Sequence, residues 1–440
     1  MEAKALIWMV CLAVAGLALS GTPAAAGLLA GEARVSITPS LAQFPTISLG
    51  GFGDRMGKPA QSVHDDIYCR ALVLSDGSTK LALVATDLLV IAPGMKEAVL
   101  AKLQGLGFDQ GNLLLAAAHN HSSPECLHPG GDVWPLAFGK FHPQFYEWMN
   151  CRLAEAVRAA HARLQPAQLG FASAPLAGFN RNRRSTGGGL IDPTLTVMKV
   201  ATREAKPHLL ALVVNFTAHP TMLGGDSFII SGEWPGAMAR ALEARLAGGS
   251  ALFFNGTQGD QTTSGSFGSG LERINNYGKA LAERAWQLAR GVKMASPVRL
   301  AASSVLWELP PYEVSPAFIE STGEEYQMTP EGARQLFSQL FPAQVRLQAL
   351  RVGDGVFMAV PGEAIVELGL AMKKDARAAG ARYPAAVGLA NSYIGYILSP
   401  DQYRLGGYES GTSFYGPELG SRLVAEMGRT VQPLFAKGRP

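Results

Sequence analysis

Charge is scarce in this sequence: of 440 residues only 17% are Asp, Glu, Lys or Arg, and the net balance is +3. The lysines and arginines are scattered, with no long basic run, so the electrostatic footprint of a nucleic-acid binder is missing and no such partner is expected. Cysteine is scarcer still, four in all. Cys11 lies in the apolar N-terminal run, leaving Cys69, Cys126 and Cys151, an odd number that permits at most one disulfide. No C-x-x-C spacing occurs, which removes the common cysteine zinc sites, although Cys126 lies close enough to a histidine pair to count as a candidate ligand. Repeats, low-complexity tracts and charged linkers are also missing, so nothing marks a domain boundary. What remains is apolar. Hydrophobic residues make up 48% of the chain, the composition of a well-buried globular protein.

The N-terminus follows its own pattern. Lys4 precedes an apolar run from Ala5 to Leu19, then Ser20, Gly21, Pro23 and the small residues Ala24-Ala25-Ala26. That is the order of a secretory signal with cleavage after Ala26. A core of about 15 residues is short for a membrane span, and no later segment reaches that length. The expectation is a leader over 1–26 and one exported domain over 27–440, secreted or periplasmic.

Apolar runs bounded by turn formers predict strands at Arg34–Ile37, Ile67–Leu74, Leu81–Thr86, Leu113–Ala118, Thr194–Val200, Leu209–Thr217, Ala251–Phe254, Val298–Leu306, Ala343–Arg351 and Val356–Val360. Helical spacing predicts helices over Met95–Leu106, Pro143–Leu164, Pro235–Leu246, Leu271–Ala289 and from Pro361-Gly362-Glu363 to Ala379, with a last one from Pro417. Phe145, Trp148, Met149, Leu153 and Val157 form a stripe that reads as core. The polar stretch 180–189, ending in three glycines, reads as a mobile loop. Strands and helices intermix without strict alternation, which points to an α/β fold, a layered domain with a mixed sheet flanked by helices.

Several strands end abruptly in polar residues. The run 113–118 breaks into His119-Asn120-His121, the run 209–217 into Ala218-His219, and Asp260 and Glu363 each stand just past a strand. Ligands in α/β folds gather beyond one set of strand ends, so these residues can meet although far apart in sequence. If strand geometry persists to residue 121, His119 and His121 share a face. Two converging imidazoles make a metal site, a general base, or one of each. Two histidines with a carboxylate is a common catalytic zinc set, whose open position activates water for attack on a carbonyl.

The residues around these positions carry a resemblance. Ala118-His119-Asn120-His121-Ser122-Ser123-Pro124, Asn215 to Thr221 with Ser231-Gly232-Glu233, Pro361-Gly362-Glu363, Asn391 to Tyr396, and Tyr408 to Ser413 with Tyr415-Gly416-Pro417 keep the order of the corresponding segments of neutral ceramidases. The sequence resembles the catalytic domain of that family over almost all of residues 27–440. The resemblance implies an amidase with one zinc ion, Zn2+, whose ligands by position are His119, His219, Glu363 and Tyr396. It implies His121 beside the metal assisting proton transfer, and Tyr408 with an arginine at the substrate carbonyl. Arg183 fits that arginine's register and Arg181 is its rival. The implied substrate is a lipid amide, ceramide or a relative, reached through transient contact with a membrane surface. Two departures stand out. Thr262 replaces the family's serine, which leaves the zinc-water route intact and puts the substrate in question. The chain also stops soon after Pro417, so the family's C-terminal immunoglobulin-like domain is not expected. The alternatives are a zinc hydrolase acting on another acyl amide, ester or lactone, and a lipid-binding relative that has lost its chemistry.

Overall fold

Strands apolar along their whole length need cover on both faces. Lys80–Thr86, Leu113–Ala117 and Leu209–Phe216 are of this kind, buried almost throughout. The computed structural model describes residues 27–436 apart from 126, 133–134, 136–138, 186–187, 319, 321–322 and 324–327. In it these strands lie in an eight-stranded mixed sheet, ordered Ser250–Asn255, Leu209–Phe216, Thr194–Thr202, Gln165–Pro175, Leu29–Ser36, Tyr68–Ser75, Lys80–Thr86, Leu113–Ala117. Its outermost pairs are parallel and the inner ones antiparallel.

A second sheet of four strands, Leu300–Glu308, Gln344–Val352, Gly355–Ala359 and Tyr383–Val387, packs face to face on the first. Leu72, Leu83, Leu114, Met198 and Leu252 from one sheet meet Leu350, Phe357 and Val387 from the other. Helices cover the outer faces. Pro143–Ala162 lies on one half of the large sheet, Glu233–Glu243 and Gly270–Arg290 on the other half, and Val366–Ala379 with Leu419–Phe435 on the small sheet. The result is helices outside and one apolar interior shared by the two sheets, the large one curled so that its edge strands Ser250–Asn255 and Leu113–Ala117 approach each other. A single mixed sheet was the expectation from sequence; the second arises because helices cover only one face of the large sheet, and its other face is equally apolar.

The predicted stripe is core: Phe145, Met149, Leu153 and Val157 are fully buried against Val73 and Val84. Each such side chain contributes roughly 1.5–3 kcal/mol by leaving water. Among the described residues Cys69 and Cys151 are free thiols, and burial pushes the Cys69 thiol up. Cys126 and the leader at 1–26 lie outside the described residues. No described helix is long and apolar enough to cross a membrane.

Three local expectations change. The helix expected to open at Glu363 begins at Val366, because Glu363–Ala364 pairs in parallel with Tyr396–Ile397. The stretch at 180 is not a free loop at its start: Asn180–Asn182 pairs antiparallel with Gln261–Thr263. The polar region 391–416 contains short helices at Pro400–Arg404 and Tyr408–Gly411.

One buried acid sets a pH dependence of stability. Glu125 is 4% exposed, its side chain forms no hydrogen bond among the described residues, and burial pushes its pKa up to about 8. The unfolded chain ionises it near 4.5, so its contribution is fully present below that pH and lost as pH rises to about 8. The loss is on the order of 5 kcal/mol at most. In denaturant melts, Glu125→Gln is therefore expected to match the wild type most closely near pH 5 and to exceed it by several kcal/mol near pH 9. Equal differences at both pH values would remove this assignment.

Candidate active site

Four strand ends deliver the site. The Leu113–Ala117 strand stops two residues before His119, which takes φ +68°. The two imidazoles therefore converge through a left-handed turn, not through strand alternation as the sequence suggested. The Leu209–Phe216 strand ends three residues before His219. Asn255, closing the neighbouring strand, donates from Nδ2 to the carbonyls of Ala118 and Ala218, at 3.0 and 2.9 Å. One amide thus fixes the residue before each histidine. Glu363 arrives from the small sheet, and its register partner across the two-residue pairing is Tyr396. Residues in register on adjacent strands share a face, so that pairing brings carboxylate and phenol to the same side.

The three imidazoles form a tight buried group, His119 to His121 and His119 to His219 both 4.7 Å between ring centroids, and His121 to His219 5.8 Å. Glu363 Oε2 lies 3.0 Å from His119 Nε2 and 3.2 Å from His219 Nε2. His121 Nε2 is 3.1 Å from His119 Nε2. The other nitrogens differ. His119 Nδ1 faces the Leu89 carbonyl at 3.1 Å and His219 Nδ1 the Gln261 carbonyl at 2.9 Å. A carbonyl only accepts, so Nδ1 carries a proton in both rings, which leaves Nε2 as the ring atom that can bind a metal at the centre. His121 Nδ1 is buried with no partner among the described residues, so no backbone carbonyl anchors that ring.

The electrostatics favour a cation. Burial pushes Glu363 upward, but the imidazoles of His119 and His219 outweigh it and hold its carboxyl well below the usual carboxylate range. Burial also lowers His121, with His119 and His219 adding to the shift, and it brings His219 down to about 4. A carboxylate and imidazole nitrogens gathered on one buried centre are a donor set for a divalent metal. Ligands at zinc distances of about 2.0–2.2 Å in a tetrahedron stand roughly 3.3–3.6 Å apart, and the separations of Glu363 from His119 and His219, 3.0 and 3.2 Å, fall just short of that. The residues present therefore fit a zinc ion. His119, His121 and His219 have ligand atoms within 4.8 Å of one another, so geometry alone admits His121 to the group as well.

Around this centre lie the other expected residues. Tyr396 OH accepts from Arg183 Nη2 at 2.8 Å. Burial raises the Tyr396 phenol well above its ordinary value, and Arg183 opposes that shift. The guanidinium of Arg183 also reaches the Gly259 carbonyl at 2.8 Å and Glu409 at 2.9 Å. Tyr408, 45% exposed, sets its ring 5.9 Å from that of Tyr396. Thr262 bridges His219 through the backbone and registers against Arg181. Arg183, rather than Arg181, is the arginine that touches Tyr396.

Asp260 does not join the cluster. Its carboxylate accepts from Val366 N at 2.8 Å, at the start of the Val366–Ala379 helix, and from Asn182 at 2.7 Å. Glu233 is likewise scaffold: it accepts backbone N–H bonds from Met222, Leu223 and Trp234, bracing the loop beyond His219. Three participants went unassigned in the sequence reading. Tyr393 donates to Glu363 Oε1 at 2.9 Å, Glu409 holds both Arg183 and Arg184, and Asn255 braces the histidine turns. Tyr393 and Glu409 stand inside the segments that carried the resemblance, which was the available signal.

Comparison with known proteins follows the same line. The profile described as "Neutral/alkaline non-lysosomal ceramidase, N-terminal" matches residues 29–263. The "Neutral ceramidase" of Pseudomonas aeruginosa is 23% identical, aligned over 88% of this chain and 69% of its own length. "Neutral ceramidase B" of Dictyostelium discoideum is 20% identical over 88% and 70%. Among solved structures, neutral ceramidase from Pseudomonas aeruginosa superposes with a TM-score of 0.77 at 20% identity, covering 92% of this chain and 74% of that one. A "Ceramidase complexed with C2" superposes at 0.75, with 19% identity over 94% and 77%. The fold is shared.

Proposed function

The chain belongs to the neutral/alkaline non-lysosomal ceramidase family, and from that premise we propose that it is an exported zinc amidohydrolase cleaving the N-acyl amide of ceramide or a related lipid to a sphingoid base and a fatty acid. His119, His219, Glu363 and Tyr396 are the residues that would hold the ion. Zinc, when bound, supplies a Lewis acid that activates water for attack on the amide carbonyl. His121 takes a proton from the attacking water and delivers one to the leaving nitrogen. Arg183 and Tyr408 hydrogen-bond the carbonyl oxygen as negative charge develops on it. Thr262 stands beside His219 with a hydroxyl whose χ1 is restricted by β-branching, a scaffold for the centre rather than its nucleophile.

One observation supports dividing the histidines in this way. His119 and His219 are locked by backbone carbonyls at Nδ1 and present Nε2, as metal ligands do. His121 has no such lock and can exchange protons. The substrate is tested by assaying ceramides beside short N-acyl amides and lactones. Ceramide hydrolysis with the highest kcat/KM is the expected result; a lactone or short amide preferred over every ceramide would overturn the lipid-amide assignment while leaving the hydrolase.

A further inference from the structure

Packing, not a ring hydrogen bond on its outer nitrogen, holds His121 in place. Gly51 backs directly on to the ring: a Cβ built there would stand 2.2 Å from His121 Nδ1. Gly51 also has φ +88°, a conformation that side chains rarely adopt. Phe52 meets the imidazole edge-on, with centroids 4.8 Å apart. Behind Phe52 lies Arg55, 1% exposed, its guanidinium 4.9 Å over the phenyl ring.

Arg55 ties three separate segments together. Nη1 donates to the Gly50 carbonyl at 2.7 Å and to the His121 carbonyl at 2.6 Å, and Nη2 donates to Gly224 at 3.2 Å. The glycine turn, the histidine loop and the loop beyond His219 thus share one guanidinium. Asp54 and Asp226 act on it only through space, and it forms no carboxylate ion pair among the described residues. Burying a guanidinium without a carboxylate is costly unless its N–H groups are hydrogen-bonded; here both Nη atoms bond to backbone carbonyls, and Nε has no partner among the described residues.

We infer that Arg55 is a positioning residue for His121, fixing through Gly50, Phe52 and the His121 carbonyl where the imidazole stands relative to the scissile amide. The inference rests on the proton-transfer role proposed for His121. A shift of about 1 Å in a reacting group can cost about a hundredfold in rate. Lysine offers a compact ammonium rather than a planar fork, so it can replace only some of these bonds.

The test is a double-mutant cycle on the zinc-loaded full chain, with kcat, KM and zinc content measured for Arg55→Met, Arg55→Lys, His121→Ala and Arg55→Met/His121→Ala. Arg55→Met is expected to lower kcat about 10- to 100-fold with KM within about twofold, and to keep its zinc. Arg55→Lys is expected to recover part of the loss. In the His121→Ala background, Arg55→Met is expected to change kcat by less than about twofold, because the two act as one unit. Multiplying effects, or a raised KM with kcat preserved, would overturn the inference. If Arg55→Met does not fold, Phe52→Leu takes its place in the cycle with the same expected coupling, and multiplying effects there overturn the inference equally. Failure of the wild type to hydrolyse ceramide would instead overturn the proposed activity, so the two failures are distinguishable.

Discussion

His119→Ala is expected to give a folded protein that holds no zinc and hydrolyses no ceramide. His119 is the hub of the cluster: its Nε2 stands 3.0 Å from Glu363 and 3.1 Å from His121, and its ring is 4.7 Å from that of His219. Removing it takes away the ligand whose proton is fixed on Nδ1 by the Leu89 carbonyl. Loss of even an outer partner of a metal ligand costs about 10–100-fold in metal affinity or activity, and loss of the ligand itself is expected to exceed that range. Metal analysis of the purified variant beside the wild type, with a ceramide hydrolysis assay on both, makes the measurement. An active variant lacking metal would contradict the site.

His121→Ala is expected to separate the two properties. Zinc content should match the wild type while kcat falls about 10²–10⁴-fold, the usual contribution of a positioned acid–base group. The distinction rests on the unpartnered Nδ1 of His121 against the anchored Nδ1 of its two neighbours. Loss of zinc together with turnover would place His121 among the ligands, which the short distances within the group also allow.

The strand-end histidines were legible in the sequence because their signal is local. A buried apolar run that stops at a histidine is visible without a structure, and both His119 and His219 obey it. Tyr396 shows the limit. Its place beside Glu363 comes from a two-residue pairing between segments more than thirty positions apart, and no periodicity announces so short a strand; only the family resemblance supplied it. Asp260 carried the same signal as Glu363, an acid just past a strand, yet it serves as the acceptor at the first turn of the Val366–Ala379 helix. Which acid faces the centre is decided by tertiary register, which sequence does not display. The start of the stretch 180–189 differs from expectation for a related reason: its glycines suggested freedom, while Arg183 and Arg184 are anchored by Glu409, more than two hundred residues away; residues 186–187 lie outside the described residues. Gly51 reads from sequence only as part of a glycine-rich turn, Gly50-Gly51-Phe52-Gly53, and nothing there ties it or Arg55 to His121, because their effect on that ring exists only once the chain has folded.

The layered α/β fold was recognisable from the intermixing of strands and helices without strict alternation, but not its division into two sheets. Pairing partners such as Leu29–Ser36 with Tyr68–Ser75 are close enough to infer. The face-to-face contact of Leu83 and Leu252 with Phe357 and Val387 is a packing outcome. It places Glu363, four residues past the Gly355–Ala359 strand of the small sheet, beside the histidines at strand ends of the large one.

The most direct test of the central claim is a metal titration of the chelator-stripped protein, followed by ceramide hydrolysis. No activity without metal and full recovery at one zinc per chain are the expected results. Undiminished ceramide hydrolysis by protein shown to be free of metal would contradict that claim.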